Sequence, residues 1–125
     1  MDQFGTVLEC IDERPQRKVA DCLSTQYGVR HLDTITTAGV VRHLAESTEE
    51  TPFLLSNLAV SVSEHSSRRI TVVAHHDCAG NPVPDKRQKE QLATAVAMLR
   101  QQYPGMEVSG LWLDSNWIVE RIGSR

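Results

Sequence analysis

The chain has 125 residues and a mass of 14.0 kDa, a size typical of one domain with one core, and we predict that residues 1–125 form that domain. Lys and Arg number 13 and Asp and Glu 16, so the formal net charge is −3, which argues against nucleic acid as a partner. The longest uncharged stretch, residues 51–63, is too short and too rich in serine to cross a membrane. No basic and apolar leader opens the chain, so we expect a cytoplasmic protein.

Four segments have the apolar, β-branched composition of strands: residues 5–10, 29–36, 70–74 and 108–113. The third is an unbroken run of isoleucine, threonine, valine and alanine. This composition is typical of a strand that is covered on both faces, as the strands of parallel sheets are.

The segments between these strands have the periodicity of helices. One helix is predicted to start near Pro15 and to end at Gly28, and a brief one covers residues 40–45. Two longer helices are predicted to follow the N-cap residues Thr51 and Asp85. The alternation predicts an α/β fold, a single three-layer domain with a central, mainly parallel four-stranded sheet flanked by helices.

Side chains that can bind a metal follow two of the predicted strands. Cys10 ends the first strand, and His75 and Cys78 follow the valine-rich third strand. The carboxyl ends of parallel strands share one edge of a sheet, and a crevice opens there where adjacent strands send their helices to opposite faces. Two thiolates and one imidazole suit Zn²⁺, and three protein ligands leave a fourth position free, as in catalytic zinc sites.

Asp12 and Arg14 complicate this interpretation, because Asp12 is near enough in sequence to fill the fourth position itself. Arg14 offers a bidentate partner that could hold the carboxylate away from the metal. Asp12 would then be free to accept a hydrogen bond from a reacting water. Both arrangements are consistent with the sequence.

These residues resemble the paired signatures of the β-class carbonic anhydrases, which are Cys-x-Asp-x-Arg and, later in the chain, His-x-x-Cys. Here they read Cys10-x-Asp12-x-Arg14 and His75-x-x-Cys78. The Cys-Ala-Gly-Asn-Pro turn over residues 78–82 resembles that of a short, divergent carbonic anhydrase-like branch.

The resemblance implies a β-carbonic anhydrase-like fold and a zinc lyase, a carbonate dehydratase that reversibly hydrates CO₂ to bicarbonate with a zinc-activated hydroxide. It implies that Cys10, His75 and Cys78 bind Zn²⁺ and that Asp12 and Arg14 form the catalytic dyad. It also implies a homodimer, because the site lies at a subunit boundary in that family. The subunit contact is expected to use apolar side chains near the carboxyl end of the chain: Trp117, Ile118 or Ile122.

Three other functions are weighed against this one. A phosphatase loop places five residues between its cysteine and arginine, whereas Cys10 and Arg14 have three between them, and the intervening acidic residues would repel phosphate. A non-catalytic zinc-binding domain would result if Asp12 closed the metal site permanently. A zinc hydrolase acting on COS or CS₂ would keep the chemistry and change the substrate.

The remaining cysteine, histidines and tryptophans are interpreted as structural. Cys22 falls on the apolar face of the first predicted helix and is assigned to the core. His76 is the spare histidine nearest to the predicted ligands and the one to test as a proton carrier. The others are expected at surface, satisfied or packing positions: His31, His43, His65, Trp112 and Trp117.

Overall fold

A computed structural model describes residues 3–122 of the chain. Strands and helices alternate through most of this range, as the sequence pattern predicts. The strands are β1 (Phe4–Glu9), β2 (His31–Thr36), β3 (Arg69–His75), β4 (Glu107–Leu113) and β5 (Val119–Ile122). The helices are α1 (Glu13–Tyr27), α2 (Val40–Glu46), α3 (Thr51–Glu64) and α4 (Asp85–Gln102).

The strands form one sheet in the order β2-β1-β3-β4-β5, and the first four are mutually parallel. The α/β class and the mainly parallel sheet are therefore confirmed, but the predicted number of four strands is wrong. The additional strand, β5, runs antiparallel to β4, with Val119 opposite Leu113. Its central residues, Glu120 and Arg121, are polar and exposed, so it lacks the apolar run that identifies a buried strand.

Helices cover both faces of the sheet and complete three layers. On one face α1 packs Val19 and Leu23 against Val7 and Val73. On the other face α2, α3 and α4 bury a larger cluster centred on Leu8, Val72 and Trp112. Burial at about 25 cal/mol per Å² of apolar surface makes these two clusters the main source of the fold's stability.

The helix starts differ from the sequence prediction in three places. Helix α1 begins at Glu13, and the residue that caps it is Asp12, whose carboxylate accepts a hydrogen bond from the backbone N–H of Arg14. The predicted caps Thr51 and Asp85 both lie inside their helices instead. Thr51 uses its hydroxyl to donate to the carbonyl of His43, which ties the start of α3 to α2.

The strand order places the loops after β1 and β3 side by side. The chain leaves β1 toward β2 on one side and leaves β3 toward β4 on the other, so the order reverses between these two neighbouring strands. Ligand sites of open α/β sheets lie at such a reversal, outside the carboxyl ends of the strands. Within residues 3–122, no helix combines the length and apolar character needed to cross a membrane.

Candidate metal centre

The loops after β1 and β3 bring Cys10, His75 and Cys78 together. Their ligand atoms lie within 4.8 Å of one another, and all three side chains are buried. In the part of the chain that the structure describes, this is the only such group of three or more Cys, His, Asp or Glu residues. All three sequence-predicted ligands therefore converge on one point.

The geometry of this cluster fits a tetrahedral metal. The two sulfur atoms of Cys10 and Cys78 lie 3.8 Å apart. Two zinc–sulfur bonds of about 2.3 Å at a tetrahedral angle place the sulfurs about 3.8 Å apart, whereas a disulfide bond is only about 2.05 Å long. The separation therefore matches two thiolates that share one ion.

The His75 ring is oriented for coordination through Nε2. Its Nδ1 lies 2.8 Å from the carbonyl oxygen of His76 and must donate to it, which leaves Nε2 with a lone pair. Among the described residues, this buried Nε2 atom has no hydrogen-bond partner. Metal-binding histidines commonly fix their other nitrogen on a backbone carbonyl in this way, so the unpartnered atom is one that a metal would satisfy.

Hydrogen bonds at the cluster favour one thiolate even before a metal is considered. The Cys78 thiol beside Cys10 lowers the pKa of Cys10, and the backbone amides of Gly39 and Asp12 act in the same direction. The same contact with Cys10 raises the pKa of Cys78, and burial adds to that effect. Cys10 is therefore the thiolate of the pair, and it is already in the form that binds metals.

Asp12 and Arg14 form a tight pair beside the cluster. Nη2 of Arg14 lies 2.6 Å from Oδ2 of Asp12, and its Nε lies 3.1 Å from both carboxylate oxygens. These hydrogen bonds hold the pKa of Asp12 below its usual range. Since Arg14 engages both oxygens, Asp12 is ionised and is held by the guanidinium.

Two residues outside the predicted dyad and ligand set also contact Arg14. Nη1 of Arg14 lies 3.3 Å from the carboxylate of Asp77, and its Nη2 donates to the Asp77 carbonyl at 3.1 Å. The guanidinium carbon also lies 4.6 Å from the ring centroid of Trp117. Asp77 lies between two predicted ligands, so the His75-x-x-Cys78 motif offered a signal for it. No sequence signal places Trp117 at the site.

A buried polar network supports the turn that carries Cys78. Asn81 is 1% exposed, and its side-chain amide donates to Gln91 at 2.6 Å and to Gln88 at 3.3 Å. Gln88 in turn donates to the Asn81 carbonyl at 2.8 Å. The network anchors the turn to α4. The apolar periodicity that predicts α4 carries no signal for this network, because its members are polar.

One buried acid near the centre was also missed. Glu9 ends β1 immediately before Cys10 and is 3% exposed. Burial raises the pKa of Glu9 to about 7, and the charge of Cys10 adds to the effect. Its Oε1 atom has no hydrogen-bond partner within residues 3–122.

The structural assignments of the spare histidines and of Cys22 agree with the structure. His43 is buried, with Nδ1 2.5 Å from the Thr48 hydroxyl and Nε2 3.2 Å from the Ala38 carbonyl. His65 contacts Asp33, and His76 contacts Asp85 through Nδ1 at 2.8 Å. Cys22 packs half-buried against the smaller core cluster, and burial raises its pKa.

The three candidate subunit-contact residues differ in exposure. Ile118 is 61% exposed. Trp117 and Ile122 are half-buried and pack against the chain's own core clusters. The expectation of an exposed apolar side chain therefore holds for Ile118 alone of these three.

Comparison with known proteins agrees with this architecture. A family model described as "Putative carbonic anhydrase" matches residues 1–123. A search of curated proteins finds no match. The fold is shared with the carbonic anhydrase from Glaciozyma antarctica, which is 16% identical, with a TM-score of 0.61 over 91% of this chain and 80% of that one.

Two further solved structures show the same fold. One is from a study of two tetrameric β-carbonic anhydrases of the ascomycete Sordaria macrospora, at 12% identity and a TM-score of 0.62, covering 98% of this chain and 82% of that one. The other is the β-carbonic anhydrase CafA of Aspergillus fumigatus, at 16% identity and a TM-score of 0.55, covering 99% of this chain and 77% of that one. The chain is therefore a short, divergent member of the carbonic anhydrase family, with the β-carbonic anhydrase fold.

Proposed function

We propose that the protein is a zinc-dependent carbonate dehydratase, in which Cys10, His75 and Cys78 bind Zn²⁺ and Asp12 and Arg14 form the catalytic dyad. The observation that carries the proposal is the convergence of three buried ligand atoms, one of them the unpartnered Nε2 of His75, beside a carboxylate held by Arg14. A bound zinc ion would supply the Lewis acidity that ionises water near neutral pH.

The dyad would orient the attacking oxygen. Ionised Asp12 accepts hydrogen bonds only, so it can bind the hydrogen of a water or hydroxide and direct a lone pair toward the carbon of CO₂. Arg14 fixes the carboxylate for this role through its Nε and Nη2 contacts. The product is bicarbonate, and the proton released from water passes to the buffer.

The same pair argues against a non-catalytic zinc domain. That alternative requires Asp12 to close the fourth metal position. In the structure Arg14 engages both of its oxygens, and the backbone N–H of Arg14 also donates to Oδ1 at 2.9 Å. To reach a metal, Asp12 would have to give up these contacts together with its role as the N-cap of α1.

Metal content and CO₂ hydration test the proposal together. The purified protein should contain close to one zinc per chain, and Cys10→Ser and Cys78→Ser should lose it, because both sulfurs are ligands. Cys22→Ser is the matched control and should retain zinc, since Cys22 packs half-buried against the smaller core cluster and is not one of the three converging ligands. Full zinc retention in both ligand variants would refute the metal site.

Stopped-flow hydration of CO₂ with a pH indicator, between about pH 7 and 9, then tests the reaction. The wild type should exceed the buffer rate. Asp12→Ala, purified in the same way, should keep its zinc and lose most turnover, which also excludes a contaminating anhydrase. A zinc-loaded wild type no faster than buffer would refute the activity, and the same preparation assayed with COS and CS₂ would show whether the substrate differs.

We also propose that the protein is a homodimer that buries Ile118. This side chain is 61% exposed in the turn just before β5, near the edge of the sheet that holds the metal centre. Sedimentation equilibrium should give twice the chain mass, and Ile118→Asp should shift the population to monomer. A monomeric wild type at micromolar concentration would refute the dimer.

A further inference from the structure

Trp117 lies beside both Arg14 of the proposed dyad and His75, a predicted metal ligand. Its ring centroid is 4.6 Å from the guanidinium carbon of Arg14 and 6.1 Å from the imidazole centroid of His75. The residue belongs to the turn that joins β4 to the added strand β5. The β4–β5 turn, which contains none of the ligand motifs, thus places an aromatic ring at the metal centre.

The β4–β5 turn holds Trp117 in a defined orientation. The carboxylate of Asp114 accepts hydrogen bonds from the backbone N–H groups of Asn116 and Ile118 at 2.8 and 3.0 Å. The Asp114 carbonyl accepts from the N–H of Trp117 itself at 2.9 Å. Trp117 has φ +59°, a conformation that bulky residues rarely adopt. The turn is therefore stabilised at each of the three residues that set the ring's position.

Arg14 needs such a support because it is half-exposed. Its side chain is 47% exposed, and that of its second anion, Asp77, is 71% exposed. Exposed ion pairs contribute little and leave long side chains free to move. A flat aromatic face adds a further restraint on a guanidinium, because the planar group stacks on it.

We infer that Trp117 is a positioning residue: its ring holds Arg14 in the orientation that engages both oxygens of Asp12. The inference rests on the proposed function, since it assigns Trp117 to the same dyad. The Trp117 ring acts through Arg14 and is not a catalytic group itself.

Four variants separate the ring from the backbone of the turn. Trp117→Gly removes the ring, and glycine adopts φ +59° without strain, so the turn is retained. Trp117→Leu keeps an apolar side chain without an aromatic face, and Trp117→Phe keeps the face. Ser115→Ala is the control, because Ser115 is exposed and lies in the same turn.

The direct readout is the Nε–H resonance of Arg14 in the full chain as purified, which does not depend on turnover. A group stacked on an indole face resonates upfield, so this signal should move downfield and exchange faster with water in the Gly and Leu variants. The Phe variant should retain part of the shift, and Ser115→Ala should match the wild type. An unchanged Arg14 signal in both the Gly and the Leu variants would overturn the inference.

Steady-state hydration of CO₂ gives the second readout. Loss of the ring should lower kcat about fivefold and leave KM within about twofold, because Trp117 acts on the dyad and a stacked cation contributes roughly 1 kcal/mol, which is about fivefold in rate. Trp117→Phe should recover most of kcat. An active enzyme whose Arg14 signal moves while kcat does not would also overturn the inference. If the wild type has no hydratase activity, the proposed function fails, and the Arg14 signal alone decides whether Trp117 positions the arginine.

Discussion

Gly39 and Gly80 approach each other backbone to backbone directly behind the metal centre. A β-carbon placed on Gly39 would lie 2.5 Å from the carbonyl oxygen of Gly80, and one placed on Gly80 would lie 2.7 Å from the carbonyl carbon of Ala38. This contact joins the turn that carries Cys78 to the residue whose backbone amide donates to Cys10. The turn between β2 and α2 therefore bridges the two ligand loops, and its close approach to the Cys78 turn requires that neither glycine carry a side chain.

Gly39→Ala and Gly80→Ala should each destabilise the protein and weaken zinc binding. The new methyl group meets backbone, which cannot move aside cheaply, and Gly39 also has φ +65°, so we expect a loss of about 1–3 kcal/mol in the free energy of unfolding. Urea denaturation and competition with a chromophoric chelator measure the two effects. Gly105→Ala is the control, because no atom lies within 4 Å of its added carbon. Wild-type stability in both variants would show that the loops do not depend on this contact.

Gln88→Leu should lower zinc affinity although Gln88 is not a ligand. Its loss removes the donor to the Asn81 carbonyl and loosens the turn that carries Cys78. Residues that support ligands in this indirect way typically change metal affinity by about tenfold or more, and a chelator competition assay would detect that change. Gln101→Leu, an exposed position on the same helix, should leave the affinity unchanged. Equal affinities in the two variants would contradict the role of the network.

The metal-free protein should contain one thiolate at a pH where free cysteine is protonated. The pKa of Cys10 is lowered by the Cys78 thiol, whereas that of Cys78 is raised by the contact with Cys10 and that of Cys22 by burial, so Cys10 alone of the three is ionised near pH 6. Thiolate absorbance near 240 nm measures this directly. The signal at pH 6 should disappear in Cys10→Ser and persist in Cys22→Ser. A signal that first appears above pH 8 would show that the hydrogen bonds to Cys10 are too weak to stabilise the charge.

Glu9→Gln should stabilise the metal-free protein at alkaline pH. The pKa of Glu9 is about 7 in the folded state and near 4.5 when unfolded, so its favourable contribution is present below pH 4.5 and is lost as the pH rises through 7. Glutamine resembles the protonated acid and does not ionise. Urea denaturation should therefore give similar stabilities near pH 4.5 and an advantage for the variant of about 3 kcal/mol at pH 8.

The matched control for this experiment is Glu49→Gln, at an exposed position in the loop before α3. It should show no such divergence with pH. If the free energy of unfolding of Glu9→Gln follows that of the wild type from pH 4.5 to 8, ionisation of the Glu9 carboxyl does not destabilise the folded protein.

Much of the fold could be predicted because its signals are local. The apolar run of β3 needs no partner to be identified, since a strand buried on both faces has no polar face. Strand β5 escaped prediction because Glu120 and Arg121 face solvent at the sheet edge and no apolar run remains. The motif that predicts a chemical role for Asp12 does not reveal its second role as a cap, in which the carboxylate binds the first amides of a helix.

The ligand set could be predicted from the sequence because two cysteines and one histidine follow strands of a parallel sheet at fixed spacing. The carboxyl ends of such strands share one edge of the sheet, so these side chains can bind one metal there. Only the tertiary structure decided what surrounds that set. Chain folding places Trp117 on Arg14, Gln88 beneath the Cys78 turn and Gly39 against Gly80. The Trp117–Arg14 and Gly39–Gly80 contacts join residues that are far apart in the chain, and no local pattern of residue types encodes a distance across a fold.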